Sequence, residues 1–226
     1  MKSNFFLISF FKITNPYSGA SEVSSDFFKN IPNPKKLIQF SNHFKIKKNI
    51  ISIQATNKFQ KIFKLFQVAN ILINITNKKK KNFIIFEGAS WVGYTFIVYQ
   101  LIKKKLKNSV FIYHAHNVEY LLRKQKENFI ISLLTKYFEN YIANKFDIFT
   151  SVSDLDKKDT KKLYKIKSQI FTNGINLNYD IKKINPIKLK YQYVLFSGSI
   201  QYLPNFDALK ILVEQIMPKV LKKNQN

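Results

Sequence analysis

The sequence predicts an α/β protein built on a mostly parallel sheet with helices on both faces. Three observations carry this. Short apolar runs alternate with longer amphipathic stretches along most of the chain. Several runs, such as Phe83-Ile-Ile-Phe86, are apolar at consecutive positions, as strands buried on both sides are. The connections between runs are long enough for crossover helices.

The elements follow in order. Phe5 to Ile13 is an apolar run that reads as the first strand rather than a signal peptide: no small-residue cleavage site follows it, and it leads into Asn15-Pro-Tyr-Ser-Gly-Ala, which is turn chemistry. Ala20 to Phe28 can be helical. Lys36 to Ser41 and Asn49 to Ile53 are short strands. Thr56 to Ile75 carries Phe59, Ile62, Phe63, Phe66, Ala69 and Ile73 at helical spacing. The run Lys78-Lys79-Lys80-Lys81 separates that helix from the strand Phe83 to Phe86, which ends on Glu87-Gly88. Trp91 to Leu106 is helical, Val110 to Tyr113 a strand, and Val118 to Asn144 mostly helix, divided near Asn128. Trp91 and the phenylalanine-rich helices are assigned to the core. Ile148 to Val152 is a strand, Asp154 to Tyr164 a helix, and Ser168 to Phe171 a strand.

The rhythm breaks over residues 176–192, which are polar, lysine-rich and contain Pro186, and read as a linker. Tyr193 to Ser199 reads as a new strand and turn, and Asn205 to Leu221 as an amphipathic helix. The organisation expected is a domain over 1–175, a linker over 176–192, and the truncated start of a second domain over 193–226. One strand and one helix do not make a domain, so the missing part is expected on a longer reading frame or a separate chain.

Composition limits the partners. The formal charge is +25, yet Arg123 is the only arginine. Readers of nucleic acid lean on arginine for bidentate contacts, so a charge-driven nucleic-acid binder is the third choice. Residues 27–86 contain no Asp or Glu; such a basic surface is either solvated or drawn to anionic membrane. There are no cysteines, which removes disulfides and thiolate metal sites. No run reaches the ~18 apolar residues of a membrane span. The expected location is the cytoplasm, with peripheral contact at the inner face of the plasma membrane.

Five segments in order resemble a glycosyltransferase of the GT-B fold, in particular the family 4 group. They are Pro16-Tyr-Ser-Gly-Ala-Ser-Glu-Val, His114-Ala-His-Asn-Val-Glu-Tyr-Leu, Phe146-Asp-Ile-Phe-Thr-Ser-Val-Ser-Asp-Leu-Asp, Ile170-Phe-Thr-Asn-Gly-Ile-Asn and Val194-Leu-Phe-Ser-Gly-Ser-Ile-Gln-Tyr-Leu-Pro-Asn-Phe-Asp-Ala. The resemblance implies a Rossmann-like acceptor-side domain followed by an incomplete second Rossmann-like domain. It implies transfer of a sugar from a nucleotide-sugar donor to a glycan or lipid-linked acceptor in polysaccharide or glycolipid synthesis. Configuration is usually retained, and neither cofactor nor metal is needed. The family's donor-binding Glu-x7-Glu element has no counterpart here, and Gly198-Ser199 stands where many members have Gly-Arg. The alternative is therefore a catalytically inactive binding domain without a donor site.

Each candidate residue has a structural alternative. Ser18, Gly19 and Ala20 form either a phosphate-approaching loop at a helix start or an ordinary turn. His116, the leading candidate, and His114 lie two apart, on one face of a strand if it continues; each can contact a sugar or serve as a structural histidine. A metal on the pair lacks an evident third ligand. Asn117 is a good helix N-cap. Glu119 can face the acceptor or complete the first helical turn. Glu87-Gly88 ends a strand at the same sheet edge and can contact the acceptor. Ser153-Asp154 caps a helix and can also draw phosphate. Asn173-Gly174 is a turn at the domain junction.

Overall fold

A computed structural model describes residues 3–77, 79–174, 193–201 and 203–223. The chain divides into two compact units, Met1–Leu177 and Asn178–Asn226. The linker expected over 176–192 lies outside the described residues, as does Lys78 of the four-lysine run.

The first unit is a doubly wound α/β domain. Its strands are β1 (Asn4–Ser9), β2 (Lys35–Ser41), β3 (Lys45–Lys47), β4 (Ile50–Gln54), β5 (Asn82–Glu87), β6 (Ser109–His114), β7 (Ile148–Ser151) and β8 (Gln169–Ile170). They form one sheet in the order β3-β4-β2-β1-β5-β6-β7-β8. Every pair is parallel except the hairpin of β3 and β4. The helices are α1 (Gly19–Asn30), α2 (Lys58–Ile75), α3 (Val92–Ile102), α4 (Glu119–Lys126), α5 (Phe129–Lys145) and α6 (Asp154–Tyr164). Asn128 caps α5 by accepting from the Ile131 N–H, so the predicted division at that residue is a genuine helix start.

Alternate residues of each strand feed two cores. Phe6 and Ile8 of β1 join Ile84 and Phe86 of β5 and the buried sides of α2, α3 and α5 in the larger core. Leu7 and Ile85 point the other way, into a smaller core with Leu37, Ile31 and the α1 residues Phe27 and Phe28. Helices thus cover both faces, unequally. The order of assembly matters for function. The chain lays strands to one side of β1, then returns and places β5 on the other side. The sheet reverses between β1 and β5, and ligands of open α/β sheets lie beyond the carboxyl ends of the strands at such a switch point.

One strand was not anticipated and three expectations need correction. The strand β3 was not legible: Lys-Ile-Lys is wholly exposed and exists only through its pairing with β4. The buried stripe of α2 is Leu65, Val68, Ala69 and Leu72, while Phe59 and Phe63 are 77% and 76% exposed. These phenylalanines, with Phe129 on α5, are therefore not core; the branched aliphatic stripe meets α3 and the sheet instead. Trp91 is half-buried, packed against Tyr94 and Phe138, with its indole N–H donating to Thr135 Oγ1 at 3.0 Å. In the second unit, residues 193–201 form no strand. An extended segment needs a neighbouring backbone to pair with, and none is present among the described residues. The helix predicted from Asn205 is present as α7 (Leu203–Ile211) and α8 (Met217–Lys223), joined by a π-helical turn over Leu212–Ile216. Among the described residues, no helix is long and apolar enough to cross a membrane.

Candidate functional site

Three side chains meet at the carboxyl ends of β5 and β6, beside the switch point. Glu87 is the last residue of β5 and His114 the last of β6, and they are direct register partners. Register partners in adjacent strands point to the same face. His116 lies two residues past His114, with ring centroids 5.2 Å apart. The ligand-capable atoms of Glu87, His114 and His116 all lie within 4.8 Å of one another.

Burial makes this cluster unusual. Glu87 is 0% exposed, and its partner in the cluster is His116, whose Nε2 is in close contact with Oε1. Neither Glu87 oxygen nor His116 Nε2 has an aligned hydrogen bond among the described residues. Glu119 and Glu139, the other buried glutamates among the described residues, have both oxygens hydrogen-bonded. His114 is fixed differently. Its Nδ1 lies 2.8 Å from Thr150 Oγ1, its ring stacks on Phe27 at 4.5 Å, and Phe171 meets it edge-on. Burial, opposed in part by the Glu87 charge, lowers its pKa, so the neutral imidazole is favoured.

Gly88 makes the approach of β5 and β6 possible. Its N–H donates to the His114 carbonyl at 2.8 Å, and a Cβ at this position would stand 2.5 Å from that oxygen and 2.9 Å from Ala115 Cα. Any side chain would push the two strand ends apart. His114 also forms part of the wall of a cavity of about 440 Å3 between α1 and the segment ending at Asn173-Gly174, with Asp26, Phe27 and Phe171. Asn173 and Gly174 were read as a turn; they line this cavity.

The other candidates are placed elsewhere. Ser18 is the N-cap of α1, in a reciprocal box with Ser21. Gly19 has open space where a Cβ would stand and no positive φ; the left-handed backbone in this turn is at Asn15, φ 56°. Ser18, Gly19 and Ala20 are exposed and make the ordinary capped turn. Ser153 caps α6 by accepting from the Asp156 N–H at 3.1 Å. Gly198 packs on the Asn205 amide, which donates to the Ser199 carbonyl at 3.2 Å, a contact within the second unit.

Glu119 belongs to a separate buried network. Its Oε2 accepts from the Val92 N–H at 2.7 Å, capping α3, and its Oε1 accepts from Arg123 Nε at 2.6 Å. Asn117 is exposed and does not cap α4; the N-cap is Val118, without a side-chain bond. The capping is done by Glu139 of α5, whose oxygens accept from the N–H groups of Glu119 and Tyr120 at 2.8 and 2.9 Å and from the Tyr164 hydroxyl at 2.6 Å. A buried carboxylate with two charge-assisted bonds outcompetes a solvated amide.

Burial pushes the Glu119 carboxyl up to about 7, against the pull of Arg123. The folded state then holds this proton more tightly than the unfolded chain, so its contribution to stability falls as pH rises from the ordinary carboxyl range through about 7. Glu119→Gln is expected to flatten the stability–pH slope over that window. Urea titrations at a series of pH values test this, and parallel slopes for variant and wild type would refute it.

No family model and no curated protein matches this chain. Among solved structures it is similar to an alpha-glucosyltransferase in complex with UDP and a 13-mer DNA containing a central A:G mismatch, at 12% identity and a TM-score of 0.37. The match covers 69% of this chain and 38% of that one, so the chain spans well under half of the neighbour's length. Likeness of that degree says nothing about substrate.

Proposed function

We propose that residues 1–175 are the acceptor-side domain of a glycosyltransferase that takes its sugar from a nucleotide-sugar donor. The observation that supports this best is the pair of Glu87 and His116 beside the switch point, whose carboxylate oxygens and Nε2 are buried and without aligned hydrogen bonds among the described residues. A carboxylate and an imidazole are the groups that orient a sugar hydroxyl and accept its proton. The five ordered segments that resemble family 4 enzymes point to the same reaction class. In this reading, Glu87 and His116 hold the acceptor hydroxyl. Thr150 and Phe27 fix His114 in the wall behind it.

A lipid-linked acceptor fits the surroundings. A second cavity, about 440 Å3, opens at the carboxyl end of β2, and its lining includes Lys12, Lys45 and Lys47, cations suited to an acceptor phosphate. On α2, Phe59, Phe63 and Phe66 are exposed beside Lys58 and Lys64, an arrangement that suits peripheral contact with anionic membrane.

Saturation-transfer NMR with hexoses, N-acetylhexosamines and a polyprenyl-phosphate-linked sugar tests the proposal. Saccharide signals are expected with the wild type, reduced at least about tenfold in His116→Ala and Glu87→Gln. For the linked sugar, stronger binding is expected in anionic than in neutral vesicles. No saccharide binding, or binding by both variants equal to that of the wild type, would remove the proposal. Binding instead to a DNA duplex with a steep salt dependence would favour the charge-driven reading.

A further inference from the structure

We infer that Glu87, His114 and His116 form a binding site for one zinc-type divalent cation. The inference shares residues with the proposed acceptor site but not its premise, since metal binding is measured with no sugar present. The resemblance to family 4 implies no metal, and the two histidines alone lack a third ligand. The strand register supplies one: Glu87 stands directly opposite His114.

Four observations support the site. First, two imidazole nitrogens and one carboxylate oxygen are the ligand set of open zinc sites, which keep a further position for water or substrate. Second, these atoms lie within 4.8 Å of one another, and tetrahedral zinc with bonds of about 2.0–2.2 Å needs ligand atoms roughly 3.3–3.6 Å apart. Side-chain adjustment covers that difference. Third, Glu87 is fully buried and its oxygens have no aligned hydrogen bond among the described residues. A buried carboxylate in that state is unfavourable unless something compensates its charge. Among the described residues, the side chain in closest contact with it, His116, is itself a potential ligand. Fourth, His114 already has the outer contact expected of a metal ligand. When Nδ1–H donates to Thr150 Oγ1, the Nε2 lone pair is left for the ion. Of the three, His114 also lines the cavity between α1 and Phe171.

The test is equilibrium dialysis of the chelator-stripped chain against Zn2+, with Co2+ as a spectroscopic probe. We expect one ion per chain and the visible absorption of low-coordinate cobalt. His116→Ala and Glu87→Gln are expected to lose saturable binding. Thr150→Val, which removes only the outer contact, is expected to bind about tenfold more weakly. His43→Ala, the one histidine outside the cluster, is expected to bind as the wild type does. Circular dichroism of the metal-free variants reports whether each folds. Should Glu87→Gln fail to fold, the partly exposed His116 position carries the comparison. Absence of saturable binding by the wild type overturns the inference outright. So does binding that survives His116→Ala, or binding that His43→Ala removes. If metal binds and no saccharide does, the site stands and the acceptor reading falls.

Discussion

Glu139→Ala is expected to destabilise the first unit by about 3–5 kcal/mol, because it leaves three buried donors without their acceptor. Glu139 is 0% exposed, and its two oxygens take three hydrogen bonds. Two come from the opening N–H groups of α4, a helix whose own N-cap, Val118, offers no side chain. The third comes from Tyr164, the last residue of α6. One carboxylate therefore ties α4, α5 and α6 together. Alanine leaves two helix N–H groups and a phenol unpaired in the interior, each costing roughly 1–3 kcal/mol and not fully additive. Glu139→Gln keeps an acceptor oxygen and is expected to cost less than half as much. Burial holds the Glu139 carboxyl above its ordinary range, while the bonds from Tyr164, Tyr120 and Glu119 pull the other way. Urea denaturation of the three proteins decides the point; a loss under about 1 kcal/mol for alanine would mean the network contributes little. Because α4 follows directly on the His116 loop, the alanine variant should also loosen His116, and saccharide or metal binding should weaken with it.

Most of the domain was legible because period and length agree. Phe83 to Phe86 is apolar throughout and short, so it reads as a buried strand, and it is one. Where the reading failed, one residue's fate depended on a distant one. Lys45 to Lys47 has no strand signature and is ordered by β4. Phe59, Phe63 and Phe66 mark a helical stripe as clear as the buried one, and only the placement of α3 decides that Leu65, Val68 and Leu72 go inside. Asn117 looks like a cap until Glu139, 22 positions on, fills that role. The site shows the same division. His114 and His116 stood out by their spacing, and Glu87 was placed at the same sheet edge. That Glu87 faces His114 follows only from β5 and β6 being neighbours in exact register, which the chain order alone does not dictate.

The double change Glu87→Met with His116→Leu is expected to make the metal-free domain more stable by about 1–4 kcal/mol while abolishing whatever the cluster binds. The face of β5 that carries Glu87 also carries Ile85, which packs in the smaller core. A carboxylate at the next position on that face is the choice a stability-only sequence would avoid, because desolvating it costs several kcal/mol. A single Glu87→Met is a poorer probe, since it strands the His116 imidazole. The double variant removes both polar groups and fills the space with apolar side chains of similar size, the situation in which buried ion pairs are most often replaced without loss. Gly88 should stay, because its backbone contact with His114 keeps the strand ends together whichever side chains lie beside it. Thermal and urea unfolding of the chelator-treated proteins measure the change. A double variant less stable than wild type by more than about 1 kcal/mol would show the pair to be a brace for the sheet edge rather than groups held in place for a ligand. A more stable variant that binds neither sugar nor metal would mean that this sheet edge gives up stability to keep Glu87 and His116 in place for a ligand.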